Sequence, residues 1–249
     1  MSNDFPRLSV IVPAYNAANF IRDAIRSIEE QDYPTLEIIV VDDGSTDATR
    51  EVVAGHNGAI RYVRQENQGA AGARNHGLSL ARGSLITFLD ADDVWTPSAL
   101  KLLTEHLHDS PQTDVVLGRV QYTRLLTDST GEHRMEAFGD PCISFSFDAG
   151  VFRRQIFERI GTFDASLRSS EDVDWFMRAR EARVMIDVLE DVVLFYRRHG
   201  RNLTQDRDTS HRDLAHALKQ SLNRRRRSSA ADSLPSLATQ KSGARPERT

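Results

Sequence analysis

Three aspartates fall within four residues at Asp90-Ala91-Asp92-Asp93, directly behind the apolar run Leu85 to Leu89. A buried strand that ends in this much negative charge is costly unless a positive partner sits against it. A divalent cation carrying phosphate oxygens is such a partner, because hard cations take carboxylate and phosphate oxygens. A second acid pair, Asp42-Asp43, closes another apolar run, and a third acidic group, Glu171-Asp172 with Asp174, opens a later segment. The chemistry these types suggest is the handling of an anionic ligand through a metal, with a spare carboxylate free to move a proton.

The elements that must position these acids are legible from apolar spacing. Leu8 to Pro13, Glu37 to Asp43 and Ile60 to Val63 read as buried strands. Between them Phe20, Ile21, Ala24, Ile25 and Ile28 mark one helical face, and a second helix follows Gly44 with Ser45 or Thr46 as its cap. Strand and helix in alternation predict an α/β fold built on a mostly parallel sheet with helices on both faces. Both acid clusters then lie at the carboxyl ends of strands, where open α/β sheets bind ligands. Asn67 to Asn75 predicts a loop entering a helix of small residues, with Arg74 in its first turns, and Thr96-Pro97 predicts the start of the next helix.

From Asp114 the pattern turns less regular and predicts a smaller, mixed-sheet half. Val115 to Gly118 and Val120 to Thr123 read as extended, Asp128 to Glu132 as a turn, and Ala149 to Ile160 as a helix ended by Gly161. A helix opens at Glu171, strands follow at Val184 to Asp187 and Val192 to Tyr196, and a short helix covers Asp213 to Leu222. One domain over 1–222 is expected, its halves dividing near 113 and 114, with a disordered tail over 223–249.

Charge sharpens this division. The 249 residues carry a net charge of −4. From Asn223 onward seven basic side chains face two acidic ones, so the tail is +5 and the body −9. An acidic body gives no reason to expect a nucleic-acid partner, while Arg224 to Arg227 is either a solvated charge run or a contact with anionic lipid. The single cysteine, Cys142, rules out an intrachain disulfide and is most simply a packing residue. The first seven residues do not look like a signal peptide, and no apolar run approaches membrane-spanning length, so the expected location is cytoplasmic, peripheral to the membrane at most.

Val10-Ile-Val-Pro-Ala-Tyr-Asn16, Val41-Asp-Asp-Gly-Ser-Thr-Asp47, Asn67-Gln-Gly69 with Ala73-Arg-Asn75, and Leu89-Asp-Ala-Asp-Asp93 resemble the successive signatures of the family 2 glycosyltransferases. Phe163-Asp164, Glu171-Asp-Val-Asp-Trp175 and Tyr196-Arg-Arg-His199 resemble the later ones. The resemblance runs in order from Leu8 to His199. It implies the GT-A fold and transfer from a nucleotide-diphosphate sugar, a UDP-sugar in the first instance, to the hydroxyl of a glycan or lipid-linked acceptor in cell-surface polysaccharide biosynthesis.

The resemblance also implies roles. Pro13, Tyr15, Asn16, Asp42 and Asp43 would meet the nucleotide, with Tyr15 stacking on the base and Asp43 accepting from its imide N–H. Gln68, Gly69 and Arg74 would support the base or diphosphate, and Asp90 and Ala91 the ribose. Asp92, with Asp90, Asp93 and His199 as further candidates, would hold Mn2+ or Mg2+, a histidine ligand favouring Mn2+. Asp172 would be the base in an inverting single displacement, with Glu171 and Trp175 orienting the acceptor. No Gln-x-x-Arg-Trp motif of the processive synthases is present, which favours single transfer.

Plainer readings compete at each position. Asp42-Asp43 and Glu171-Asp172 could simply favour helix N-termini. Arg74 could be a solvated surface cation, His199 a solvent-exposed or phosphate-donating side chain, and Asp164 structural. Leu89 to Val94 also resembles a dehalogenase-type phosphatase motif, and Ile39 to Asp43 a response-regulator pocket, but neither is completed elsewhere. A nucleotidyltransferase would carry a Gly-rich basic loop where Pro13 to Asn16 stands. The non-enzymatic alternative is an inactive sugar-nucleotide-binding assembly partner, which has no chemical reason to keep Asp92, Asp172 and His199 together.

Overall fold

The computed structural model describes residues 5–127, 133–200, 202 and 207–227. The turn expected over Asp128 to Glu132, and the chain after Arg227, lie outside them.

The first half alternates strand and helix. It runs β1 (Leu8–Ala14), α1 (Ile21–Glu29), β2 (Leu36–Asp42), α2 (Thr49–Ala54), β3 (Ile60–Arg64), α3 (Gly69–Leu80) and β4 (Leu85–Phe88). All four strands are parallel neighbours, in the order β3-β2-β1-β4, with Val10 opposite both Ile38 and Thr87. β1 is buried along its whole length, which explains its unbroken apolar sequence. Gly77 lets α3 lie close on this sheet. A Cβ there would stand 2.3 Å from Ile11 Cγ2.

The second half is mixed. It continues with β5 (Val94–Trp95), α4 (Ala99–Asp109), β6 (Val115–Thr127), β7 (His133–Ala137), β8 (Cys142–Ile143), β9 (Gly150–Arg153), α5 (Gln155–Ile160), α6 (Glu171–Glu181), β10 (Ile186–Arg198) and α7 (Arg207–Arg227). β9 is antiparallel to both β4 and β6 and so joins the halves into one continuous sheet, ordered β3-β2-β1-β4-β9-β6-β10-β5. β6 and β10 are parallel to one another.

Several local expectations are corrected. Ala149 to Ile160 is not one helix: a short 3₁₀ turn at Phe147–Ala149 leads into β9, and only Gln155–Ile160 is α-helical. Val151 and Phe152 are apolar because they fill the sheet interior between β4 and β6, so a strand pattern was mistaken for a helical face. The two pairs of short strands in this half are each one long strand, β10 being bulged between Val188 and Leu194. Thr96 does not cap α4. Its hydroxyl donates to the Val192 carbonyl, and the helix starts at Ala99. Residues 223–227 are not disordered. They are the last turn of α7, and Arg224 pairs with Glu181 at 2.7 Å and Asp174 at 3.3 Å.

Two apolar clusters cover the two sheet faces. One gathers α1, α4 and the inner residues of β1, β2 and β10. The other is dominated by rings: Phe88, Phe147, Phe152, Phe157, Phe163, Trp175 and Phe176 pack mainly edge to face. Trp175 belongs here. It is wholly buried, donates from Nε1 to the Gly161 carbonyl at 3.1 Å, and has no surface to offer an acceptor, which corrects the substrate-binding role expected of it.

Candidate active site

The base-side loops are organised by acids that the chain itself satisfies. Gly44 turns at φ +83°, and Asn16 sits in the left-handed region at φ 49°, a conformation asparagine tolerates. Asn16 Oδ1 accepts the Thr46 N–H at 2.8 Å, tying the loop after β1 to the loop after β2. Asp42 is buried and accepts from Ser45 N–H at 2.7 Å and from the Tyr62 hydroxyl. Asp43 accepts from Gln65 Nε2 and from the Gln68 and Gly69 N–H groups, at 2.7–2.8 Å. Asp42 closes a turn on Ser45 well before α2, so it does not cap that helix as the plainer reading anticipated; Asp47 accepts the Thr49 N–H there instead, at 3.0 Å. Asp43, by contrast, reaches across to the start of α3 and fixes the Gln65 to Gly69 loop. Pro13 is buried, Tyr15 is 53% exposed, and Gln68 is exposed at this rim.

Arg74 is not a surface residue. It is 5% exposed, and its two terminal nitrogens reach Glu171 Oε1 and, at 2.6 Å, Asp90 Oδ1. Burial opposes its charge, but Asp90 and Glu171 more than offset that and raise its pKa. Its charge is thus taken up by two carboxylates from opposite halves of the sheet, which corrects the picture of a cation held ready for diphosphate.

The acidic turn divides into separate jobs. Asp93 faces inward, 1% exposed, and accepts the Arg197 N–H at 2.7 Å, so it is not directed toward a metal. Ala91 is buried beneath the turn. Asp92 faces the other way: its Oδ2 lies 3.0 Å from His199 Nε2 and accepts from Asn202 Nδ2 at 3.2 Å. Asn202 also receives the His199 N–H at 2.6 Å, and the His199 ring stacks on Phe20 at 4.3 Å and 16°. Arg197, 1% exposed, donates to the Asp92 carbonyl, to Asp23 Oδ2 at 2.8 Å and to the Phe20 carbonyl at 3.3 Å, and its guanidinium lies 5.5 Å from the Phe20 ring.

Asp172 opens α6. Ser170 precedes it at φ 62°, so the chain turns sharply into the helix and presents Glu171 and Asp172 together. Burial, then repulsion from Glu171, pushes the Asp172 carboxyl up to about 6. Asp148, between Phe147 and β9, is a further acid in the same field. It is 2% exposed, its Oδ1 has no partner, and burial followed by Asp90 drives its pKa well above the carboxylate range. Asp90 and Asp93 are also raised, by burial first and then by neighbouring acids that Arg74, at Asp90, opposes.

A cluster of acids that raise one another in this way has a deficit of positive charge. Among the described residues no three His, Cys, Asp or Glu side chains group closely enough to hold a metal alone. Asp92 and His199 are adjacent, however, and this oxygen and nitrogen pair fits Mn2+ or Mg2+ when ligand oxygens complete the sphere. Phe20 fixes the plane of His199. Phe20→Leu is therefore expected to weaken Mn2+ affinity roughly tenfold, the scale of a lost supporting contact, with Phe20→Tyr restoring it. Mn2+ titration followed by electron paramagnetic resonance checks this, and equal affinities in both variants would remove the role.

Asp148, Arg197, Asn202 and Phe20 escaped the sequence reading. Arg197 lies inside the Tyr196 to His199 segment, and Asn202 three residues beyond it. Asp148 had no signal, since one acid among phenylalanines looks like any loop residue.

Curated glycosyltransferases align at 28–30% identity over 80% of this chain, which spans 63–66% of their length. TuaG of Bacillus subtilis, named for teichuronic acid biosynthesis, is 40% identical over 111 residues, 43% of this chain and 44% of that protein. The Staphylococcus aureus TarS structure with UDP superposes at TM-score 0.62 with 25% identity, covering 77% of this chain and 60% of the other. The mannosyltransferase PcManGT of Pyrobaculum calidifontis, with GDP-Man and Mn2+, superposes at TM-score 0.68 over 89% of this chain and 65% of its own, at 24% identity. The α/β sheet described above is the GT-A fold of those two enzymes. The profile of Glycosyl transferase family 2 matches residues 9–172, and the chain belongs to that family.

Proposed function

We propose that the chain is an inverting glycosyltransferase that moves a sugar from a nucleotide-diphosphate donor to a hydroxyl acceptor. One arrangement supports it above all. Asp92, paired with His199, and Asp172, 80 residues after Asp92, both act on the buried Asp148 and couple to Asp90, and Arg74 ties the two sides together through Asp90 and Glu171.

Tyr15, exposed at the end of β1, offers a face for the base. Asp43 shapes the loop that frames it, because its carboxylate is already shared among Gln65, Gln68 and Gly69. Asp90 stands at the ribose side. Asp92 and His199 would hold the divalent metal, which when bound offsets charge on the departing diphosphate. Asp172 takes the acceptor proton as the hydroxyl attacks opposite the leaving group, which inverts the anomeric centre in one step. Glu171, held by Arg74, keeps the start of α6 in place.

UDP bound to TarS and GDP-Man bound to PcManGT make a UDP-sugar and a GDP-sugar the first donors to try. The likeness to TuaG, named for teichuronic acid biosynthesis, makes a cell-surface polysaccharide the acceptor class to try first. Among the described residues no helix is long and apolar enough to cross a membrane.

The test is a panel of sugar nucleotides with Mn2+, followed by structure determination of the product. No hydrolysis or transfer from any donor would sink the proposal. Donor binding should also depend on metal: excess EDTA is expected to weaken it at least about tenfold, given how much unbalanced acid gathers around Asp90 and Asp148. Calorimetry with and without EDTA reads this directly, and unchanged affinity contradicts the role given to Asp92 and His199.

A further inference from the structure

The last helix carries a surface that the transfer chemistry does not use. α7 docks on α6 through Asp213, Ala217, Ser221 and Arg224, spaced four, four and three residues apart along one line. Asp213 Oδ2 accepts the Arg168 and Ser169 N–H groups at 2.8 and 2.9 Å, and Ser221 donates to Glu181 at 2.6 Å. One residue further round, about 100° away, runs a second line: Leu214, Leu218 and Leu222. These three are 37%, 44% and 45% exposed and form an apolar stripe about 12 Å long.

The stripe is bordered by cations. Lys219, Arg226 and Arg227 are all exposed, and between 211 and 227 the only acid is Asp213, which is turned to the docked side. A leucine stripe beside a row of cations is the composition of a helix that lies in a lipid interface. We infer that this face of α7 binds an anionic lipid surface, with the leucines entering the acyl boundary and the cations meeting the head groups.

Charge decides among occupants. A second copy meeting the same face across a two-fold axis would set cation rows against each other. A nucleic acid would satisfy the cations and leave the leucines in water. A membrane rich in acidic lipid offers both an apolar layer and negative charge. Arg224 takes no part, since its charge is held by Asp174 and Glu181. The Leu214 end of the stripe adjoins the Arg168 and Ser169 loop, which leads through Ser170 to Glu171 and Asp172. Lipid contact would therefore bring the acceptor side of the site close to the surface. The inference goes beyond the transfer reading and does not depend on it.

Co-sedimentation of the full chain with vesicles tests it. Retention is expected on phosphatidylcholine vesicles containing about one third phosphatidylglycerol, and not on phosphatidylcholine alone, with retention falling as salt is raised. Leu218→Ser with Leu222→Ser should lower the partition coefficient roughly tenfold or more, and Lys219→Glu with Arg226→Glu at least as much. All four side chains are exposed, so the variants should keep the parent Tm, which is measured alongside. Retention that is absent, equal on both vesicle types, or unchanged in the leucine variant at unchanged Tm would overturn the inference. So would loss of self-association in the leucine variant without any lipid binding by the parent, which would give the face to a second copy. Vesicle binding by a chain that transfers no sugar would leave the inference intact and sink only the transfer reading.

Discussion

Asp172→Asn should lose about 10²–10⁴-fold in kcat, the usual contribution of a positioned general base, while donor affinity stays within about threefold. The asparagine keeps the shape of the side chain and removes only its capacity to take a proton. Fold and activity should then part company. In the native protein this carboxyl is pushed up to about 6 by burial and by Glu171, against 3.8 for an ordinary aspartate. The folded state therefore binds the proton more readily than the unfolded one. The carboxyl is least favourable to the fold above pH 6, and that penalty fades as pH falls through 6 toward 3.8. A neutral asparagine avoids the penalty, so the variant's Tm at pH 7.5 should equal or exceed the parent's. The parent's kcat/KM should fall below about pH 6, close to tenfold per unit, as the base becomes protonated. Substantial transfer by the variant, or a parent profile flat to well below pH 6, would assign the proton to another group.

Arg74→Ala should be the most destabilising single change near the site. Removing one partner of a buried ion pair typically costs about 3–5 kcal/mol because the other charge is left without compensation. Here two carboxylates, Asp90 and Glu171, would be left, with Asp172 and Asp148 already in the same field. For a chain of this size the drop in Tm should be roughly 6–20 °C. Arg74→Lys keeps the charge but cannot span two carboxylates, so it should fall between the parent and the alanine variant. Calorimetric melting reads both. A double change, Arg74→Ala with Glu171→Gln, should cost less than the sum of the single changes, because the glutamine removes one of the stranded charges. Strict additivity, or an alanine variant melting within about 2 °C of the parent, would mean that solvent reaches the pair and relieves it.

The donor half was readable because β1, β4 and most of β2 are buried on both faces and each acid cluster follows one of these strands directly. β1, β2 and β4 announce themselves as apolar runs, and topology then places Asp42, Asp43 and Asp90 to Asp93 at a common edge. The second half was harder for a physical reason. β9 is four residues long and antiparallel between two strands distant in sequence, and its Val151 and Phe152 adjoin the real helix at Gln155, so the two patterns merged into one. Side-chain direction was also beyond reach. Asp92 and Asp93 are neighbours, yet one turns to His199 and the other to the Arg197 backbone. Nor does local spacing reveal that Trp175, three residues after Asp172, points into a cluster of phenylalanines. Arg74 misled most, because a basic residue near a phosphate-binding motif suggests a ligand for phosphate, and its partners lie 16 and 97 residues away.

The placement of β9 bears on how the chain is made. The four parallel strands of the donor half are complete once residue 88 has been synthesised, but β4 keeps an unpaired edge until β9 emerges with residue 153. At ordinary translation speeds that interval is roughly 3–13 s. Throughout it Leu85, Ile86, Thr87 and Phe88, all buried in the finished molecule, present open hydrogen-bonding groups on an apolar strand. Such an edge is a template for pairing with another nascent chain. The ribosome-bound intermediate ending between β4 and β9 is thus the stage at which this protein most needs a chaperone, and slower translation would lengthen that exposure.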